Sequence, residues 1–292
     1  MVSVQRVVMP GSGAVSWTVL GDDGVVLEPV ERYLAYLAAI ERSPNTVRTY
    51  AVGLRLWFEF LGVAGVAWEA VGVEDVARFV AWLRAPADNV VVLAAGTGAR
   101  RPATVNSYLA GVFGFYDHHA RAGVGPAADL VVWRRASRGG YKPFLHHVTK
   151  GRPIATRPLK LPVTRTAPKV LEGEQIVAVL AACEHLRDRF LLSLLAETGM
   201  RVGQALGLRH ADFVSRRREV RIVPRDDNVN GARAKCRSPV TVPVSTPLVR
   251  LYSEYMHVEY GSLDSDYVFV NLFAGKVGAP MSYPAVHQLI RP

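Results

Sequence analysis

Residues 191–210 read LLSLLAETGMRVGQALGLRH, and this stretch decides how the rest of the chain is read. Leu191, Leu192, Leu194 and Leu195 recur at helical spacing and stop at Thr198-Gly199. Glycine is expected just past a helix C-terminus because it takes φ > 0 without penalty. A second, shorter apolar pattern follows in Val202, Ala205, Leu206 and Leu208. Arg201 therefore stands on a sharp turn between two helical ends. A lone arginine after a helix-ending glycine is ordinarily a solvated side chain or a helix cap; here the turn fixes where it sits.

Outward from that turn, composition sets the limits. With 292 residues the chain has room for two domains, each with its own core, and with 50% hydrophobic residues it is not a disordered chain. Lysine and arginine number 35 against 25 acidic residues, a formal net charge of +10 that makes a polyanion, and nucleic acid first, the expected partner. Cys183 and Cys236 are too few for a disulfide framework or a zinc site, which suits a reducing compartment. The opening MVSVQRVVMPGSG lacks the layout of a signal peptide, and no apolar run approaches the ~18 residues of a membrane span, so a cytoplasmic protein is expected.

Residues 1–27 read as an arm or small hairpin. Four amphipathic helices are expected between 28 and about 122. The first carries Val30, Tyr33, Leu34, Leu37 and Ile40. The second opens at Ser43-Pro44, an N-cap followed by proline at the first helical position, and carries Val47, Tyr50, Leu54, Trp57 and Leu61. Val76, Phe79, Val80 and Leu83 mark the third; Val105, Tyr108, Leu109, Val112 and Tyr116 mark the fourth. Each has one apolar stripe that it cannot bury alone, so a bundle spanning 28–125 follows. Gly96-Thr97-Gly98 lacks the flanking strand and Gly-Lys-Ser/Thr of a phosphate cradle and reads as loop. Arg100 and Arg101, at the start of the fourth helix, are candidates for the DNA backbone. His118-His119 and His146-His147 have no acidic or cysteine partners beside them, so no metal site is assigned.

Residues 131–170 hold Arg134, Arg135, Arg138, Lys142, Lys150, Arg152, Arg157, Lys160, Arg165 and Lys169, and no acidic residue. Five prolines keep the segment extended, and uncompensated like charge repels itself unless a polyanion is near. Residues 126–169 are expected to be a basic interdomain linker that tracks a phosphate backbone, with Arg134, Arg135, Lys142, Lys150 and Arg152 in contact.

From Val170 to 292 a second domain is expected. Helices over 172–183 and 186–198 lead into the Arg201 turn. Glu219–Val223 then reads as a strand, Asp227–Gly231 as turn chemistry and Pro239–Val244 as the returning strand. A helix over 247–260, a strand over 267–271 and a helix from Ser282 complete the stretch. The fold class is thus mainly α with a small β-sheet.

The wording TGMRVGQALGL resembles the first arginine box of the tyrosine recombinases, or phage integrases, usually T-G-[LM]-R-[IV]-x-E-x-L-x-L, with Gln204 standing where the family usually has Glu. SPNTVRTYAVGLRLWFEFL (43–61) is similar to the start of the family's SAM-like core-binding domain, in which a Thr and a Tyr, here Thr46 and Tyr50, open the second helix; Thr46 and Arg48 join the DNA-contact candidates. NGARAK (230–235), DYVFVN (266–271) and LHHVTKGRPI (145–154) resemble phrases of the Tn554-type transposon integrases. The resemblance implies DNA strand breakage and rejoining through a tyrosine nucleophile, with no metal, nucleotide or other cofactor, on double-stranded DNA and with self-association or recombinase partners there. It makes Arg201 catalytic and carries the family's hairpin lysine onto Lys235 as general acid, with Arg233 as the rival and a further DNA contact.

The family's His-x-x-Arg box, a further His or Trp, and the tyrosine nucleophile fall after Pro292 in the pattern. His287 and Arg291 are spaced by four instead of three, and Tyr252, Tyr255, Tyr260, Tyr267 and Tyr283 suit packing, so no nucleophile is nominated and the stretch reads as a partial catalytic domain, C-terminally truncated. Helices that would cover Leu194, Leu206 and Val268 are expected to be lacking, leaving this domain marginal or prone to associate. Two other classes stay open: a non-catalytic DNA-binding remnant that competes with or regulates a full-length recombinase, and a basic RNA-binding or structural protein.

Overall fold

A computed structural model describes residues 1–9, 13, 15–85, 100–125, 130, 132–134, 154–156, 159–164, 167–168, 170–234, 236 and 238–290. The chain divides into two compact units, Met1–Thr166 and Ala167–Pro292. It is mostly helical with small antiparallel sheets. No helix among the described residues is long and apolar enough to cross a membrane.

In the first unit the N-terminal arm is a hairpin: β1 (Ser3–Val8) pairs antiparallel with β2 (Val15–Leu20), Ser3 opposite Leu20. The helices follow as α1 (Glu28–Ala39), α2 (Pro44–Ala64), α3 (Val73–Arg84) and α4 (Pro102–Arg121). α2 starts where its sequence says it should. Ser43 Oγ accepts the Thr46 N–H at 3.3 Å, Pro44 takes the first helical position, and Gly65, at φ +65°, ends the helix. α2 and α4 cross closely because Gly53 and Gly111 lie at the contact: a Cβ at Gly53 would sit 3.0 Å from Tyr108 Cα, and one at Gly111 3.2 Å from Tyr50 Cα. Trp57 is fully buried; its indole N–H donates to the Tyr116 hydroxyl at 3.1 Å, which donates to the Trp68 carbonyl at 3.0 Å. A buried indole is thus satisfied without water. His119 is buried and hydrogen-bonded to the Pro29 carbonyl at 2.8 Å.

The segment expected as an extended linker is tied to this unit at both ends. β3 (Val132–Arg134) pairs antiparallel with β4 (Ile154–Thr156). Leu159 and Leu161 then pack on the bundle core. The Asn106 side chain brackets the Leu161 backbone, accepting its N–H at 2.8 Å and donating to its carbonyl at 2.9 Å. Proline-punctuated charge hid one short two-stranded ladder and a Leu-x-Leu anchor. Residues 135–153, and Gly96-Thr97-Gly98, lie outside the described residues.

In the second unit α5 (Gly173–Ala181) and α6 (Leu186–Thr198) lead to the short α7 (Val202–Leu206). A three-stranded antiparallel sheet follows, ordered β5 (Phe213–Val214), β6 (Glu219–Ile222), β7 (Val240–Pro243), with Val220 opposite Val242. α8 (Thr246–Tyr255) continues into a π-helical turn, Met256–Tyr260, and α9 (Tyr283–Ile290) comes last.

Two expectations are corrected here. Leu194, Leu206 and Val268 are each 0% exposed: with Phe190, Tyr255 and Phe269 they share one core, so these faces are covered from within the unit. Tyr267–Asn271 is not a strand but two isolated bridges, Arg209 to Tyr267 and Val270 to Pro280. Tyr267 to Val270 are all buried, and tyrosine hydroxyls replace ladder partners: Tyr255 donates to the Val268 carbonyl at 2.9 Å and Tyr260 to that of Tyr267 at 2.9 Å.

Candidate active site

The Arg201 turn is built from its neighbours. Gly199, at φ +64°, ends α6 and returns its N–H to the Leu195 carbonyl at 3.0 Å. Thr198 donates its hydroxyl to the Leu194 carbonyl at 2.6 Å and accepts the Met200 N–H at 3.3 Å, and Met200 is buried. Arg201 follows in extended conformation at the N-cap of α7, its backbone N–H donated to Gln204 Oε1 at 2.7 Å. The amide of Gln204 thus caps the turn as a carboxylate could, without setting a negative charge beside Arg201.

The Arg201 side chain is exposed, and among the described residues no acceptor or carboxylate holds its guanidinium. Four other arginines of this unit are paired with aspartates. Arg187 pairs with Asp188 at 2.7 Å, Arg209 with Asp227 at 2.9 Å, Arg225 with Asp212 at 2.6 Å, and Arg233 with Asp226. A guanidinium fixed by its backbone and left without a counter-ion is arranged to take an anion from outside.

The connection between β6 and β7, residues 223–239, runs back to this turn along a braced path. Arg225 clamps buried Asp212 with two nitrogens, at 2.6 and 2.7 Å, and that pairing holds the guanidinium further into its charged form. Asn228 donates to the Ala232 carbonyl at 2.9 Å. Asn230 donates to the carbonyls of Leu206 at 3.0 Å and Met281 at 2.8 Å and accepts the Ala232 N–H at 3.0 Å. Gly231 turns the chain at φ +69°. The Tyr267 hydroxyl accepts the Val229 N–H at 3.2 Å and lies 3.3 Å from Asn228 Oδ1. The path ends against α7. A Cβ at Gly203 would overlap the Tyr283 hydroxyl and lie 2.9 Å from the Arg233 carbonyl, so only glycine admits this approach.

Lys235 itself lies outside the described residues, while its neighbours Ala234 and Cys236 pack on the unit's core. Arg233 is brought beside α7 with its guanidinium engaged by Asp226. Burial pushes the Tyr252 hydroxyl up to about 12 and raises those of Tyr255 and Tyr260, so all three stay protonated. His210 joins two of them, one ring nitrogen 3.0 Å from Tyr252 Oη and the other 3.0 Å from Tyr260 Oη.

In the first unit Thr46 caps α2 with Ser43, their hydroxyls 2.9 Å apart. Arg48 is exposed and lies 5.2 Å from the centre of the Trp17 ring. Arg100 spends one nitrogen on the Leu83 carbonyl at 3.1 Å, at the end of α3, while Arg101 at the N-cap of α4 is exposed. Arg134 is in β3, but its side chain is outside the described set; so are residues Arg135, Lys142, Lys150 and Arg152. The sequence reading takes Asn230 as turn chemistry and Tyr283 as packing, and gives Gly203 no role of its own. Asn-Gly announced a turn, but nothing local says that an asparagine amide reaches carbonyls at 206 and 281.

Residues 169–291 match the model of the phage integrase family, and residues 30–113 that of the phage integrase N-terminal SAM-like domain. Transposase A from transposon Tn554 of Staphylococcus aureus is 36% identical over 290 residues, covering 99% of this chain and 80% of that protein. Tyrosine recombinase XerC of Methylobacterium sp. (strain 4-46) is 31% identical over 271 residues, 90% of this chain and 72% of that one. The Tn1549 transposon integrase, solved in complex with transposon right end DNA, superposes with a TM-score of 0.53 at 13% identity, over 88% of this chain and 74% of the other, which establishes likeness of fold.

Proposed function

The chain belongs to the phage integrase family, the tyrosine recombinases, and from that premise we propose that it acts in site-specific recombination of double-stranded DNA, with Arg201 and Lys235 as its catalytic groups and the cytoplasm as its place of action. The observation that carries this reading is the unpaired guanidinium of Arg201, held at a capped turn beside the docked β6–β7 connection.

The chemistry asks for these groups. When a tyrosine oxygen attacks a DNA phosphodiester, charge grows on the nonbridging oxygens of the pentacovalent phosphorus, and a planar guanidinium neutralises two of them. The phenol releases its proton to solvent as its oxygen bonds to phosphorus; the bond that breaks is phosphorus to the 5′-oxygen, which leaves with a proton from the Lys235 ammonium. Attack by a DNA 5′-hydroxyl reverses the step. One phosphate diester replaces another of like energy, so the step calls for no nucleotide.

Residues 28–125 form the core-binding part and 170–292 part of the catalytic domain, with Thr46, Arg48, Arg100, Arg101, Arg134, Arg135, Lys142, Lys150, Arg152 and Arg233 on the phosphate backbone. Residues 1–292 on their own bind DNA and do not cleave it. Tyr252, Tyr255 and Tyr260 are held protonated by burial and engaged in packing, so none of the three is offered as the attacking oxygen. This makes the stretch, alone, a competitor for the sites of a complete recombinase. The test is incubation with site DNA carrying a nick that traps covalent intermediates. The expected result is a retarded complex that dissociates on denaturation, with duplex DNA preferred to RNA. A covalent band abolished by Tyr283→Phe would assign the nucleophile within this stretch and overturn the non-cleaving reading; equal affinity for RNA would overturn the DNA reading.

A further inference from the structure

The first unit has an open cleft that neither its core nor the recombination chemistry accounts for. It lies between the C-terminal half of α1, the turn into α2 and the second half of α4. Its volume of about 580 Å³ falls within the ~300–1,000 Å³ of small-molecule sites. Four rings line it. Tyr36 and His118 have ring centres 4.7 Å apart and planes 33° apart; Tyr33 runs parallel to Tyr50, at 7° and 6.5 Å, and lies 5.6 Å from His118. One wall is fixed by the fold: Tyr33 is buried, and a Cβ at Gly114 of α4 would overlap its hydroxyl, so glycine is what lets that ring stay in place. Tyr36 and Ile40, in contrast, are left 40% and 43% exposed at the mouth.

The turn out of α1 is strained in a way that serves this cleft. Glu41 stands at φ +56° and returns its N–H to the Ala38 carbonyl at 3.0 Å, while the Arg42 N–H reaches the Leu37 carbonyl at 3.0 Å. Such a helix end ordinarily takes glycine, and a side chain there strains the backbone. The turn brings Ile40 and Arg42, on either side of Glu41, to the same cleft. Arg42 is exposed and pairs with no carboxylate among the described residues, whereas Arg121 is held by Asp117 at 2.7 Å. Burial holds His118 below its ordinary value, helped by His119, Arg32 and Arg121 and opposed by Asp117, so the ring is neutral near pH 7 and the charge around it is positive on balance.

We infer that this cleft binds a small planar aromatic anion, with its ring against Tyr36 and His118 and its acidic group on Arg42. Ring and charge together choose the class. An aliphatic acid would leave the rings without a partner, and an aromatic cation would meet Arg42 and the positive surroundings of His118. Nothing in this asks the chain to act on DNA, so the site stands or falls apart from the recombination reading.

The experiment titrates the 292-residue chain with anilinonaphthalene sulfonate, an aromatic anion that fluoresces on leaving water, and with the corresponding neutral sulfonamide. The sulfonate is expected to saturate one site. Tyr36→Ala and Arg42→Gln should each weaken it about tenfold, the worth of one aromatic contact or one charged hydrogen bond. The sulfonamide should bind the unaltered chain about as weakly as the sulfonate binds Arg42→Gln. Where a variant lowers the urea midpoint read by tryptophan fluorescence, the sulfonate and sulfonamide comparison on the unaltered chain decides. Binding that does not saturate, variants that bind equally well, or a sulfonamide as tight as the sulfonate overturns the inference. Displacement by adenosine monophosphate, itself a planar aromatic anion, supports it; displacement by single-stranded DNA where the monophosphate has no effect gives the cleft to nucleic acid and overturns it.

Discussion

Replacing Asn230 by alanine should unfasten the connection that carries Lys235. The amide makes three hydrogen bonds: to the Leu206 carbonyl at 3.0 Å, to the Met281 carbonyl at 2.8 Å and from the Ala232 N–H at 3.0 Å. Leu206, Met281 and Ala232 are 0%, 1% and 1% exposed, so water does not readily take the place of the lost amide. At about 1 kcal/mol for each bond, the loss is about 3 kcal/mol, with more where a buried group is left unpaired. Against a total of 5–15 kcal/mol for a domain this is a large share. Asn230→Asp should be worse near neutral pH, because it sets a carboxylate against two carbonyl oxygens, and should recover partly below about pH 4, where a protonated acid donates once. The assay has a built-in control: Trp17, Trp57, Trp68, Trp82 and Trp133 all fall in the first unit. In urea, the far-ultraviolet circular dichroism of the second unit should lose about 1.5 M in midpoint at m ~2 kcal/mol/M, while the tryptophan fluorescence transition stays put. A dichroism midpoint moved by less than about 0.3 M, or a matching shift in fluorescence, would refute the reasoning.

Three further outcomes are expected. If about six of the basic side chains meet phosphates, log K for duplex binding should fall with log salt at a slope near −5, and Arg100→Gln/Arg101→Gln should make it shallower; a slope of zero contradicts the polyanion reading. Burial holds the His210 imidazole below its ordinary value of 6.5, against the opposing pull of Asp266. The unfolded chain therefore takes up the proton first as pH falls, so this group costs no stability above ~6.5 and lowers stability progressively beneath it; His210→Gln should flatten that decline in urea midpoints measured from about pH 7.5 to 5.5, and an unchanged decline would clear His210 of the effect. Lys235→Ala, in a chain completed with the family's C-terminal part, should be rescued on DNA whose scissile 5′-oxygen is replaced by sulfur, since a thiolate leaves without a proton; equal loss on both substrates removes Lys235 as the acid.

Local rules carried the reading a long way where one residue type answers one backbone need. Gly199 past an apolar run, Ser43-Pro44 before one, and alternating residues either side of Asn-Gly each announced an element that the structure contains, with β6 one residue shorter at the connection end than expected and β7 one residue shorter at each end. The wrong expectations came from long-range packing. Tyr267–Asn271 has the composition of a strand, but burial on both sides and bonds from Tyr255 and Tyr260 give it single bridges instead. Leu194, Leu206 and Val268 were expected to be bare because cover was sought in later helices; α8 and the 267–270 stretch supply it. The charge of 131–170 masked the Leu159 and Leu161 anchor, since ten cations say nothing of two apolar side chains packed on the bundle core.

The central claim is that Arg201 stabilises a transition state and does not merely hold DNA. Its most direct test compares the unaltered chain with Arg201→Ala, both completed with the family's C-terminal part, for binding to and cleavage of one nicked site. The account predicts a cleavage rate lower by about a hundredfold or more, as for loss of one preorganised charge partner, with affinity for the site within about twofold. Cleavage at the unaltered rate, or a loss of affinity that matches the loss of rate, would contradict it.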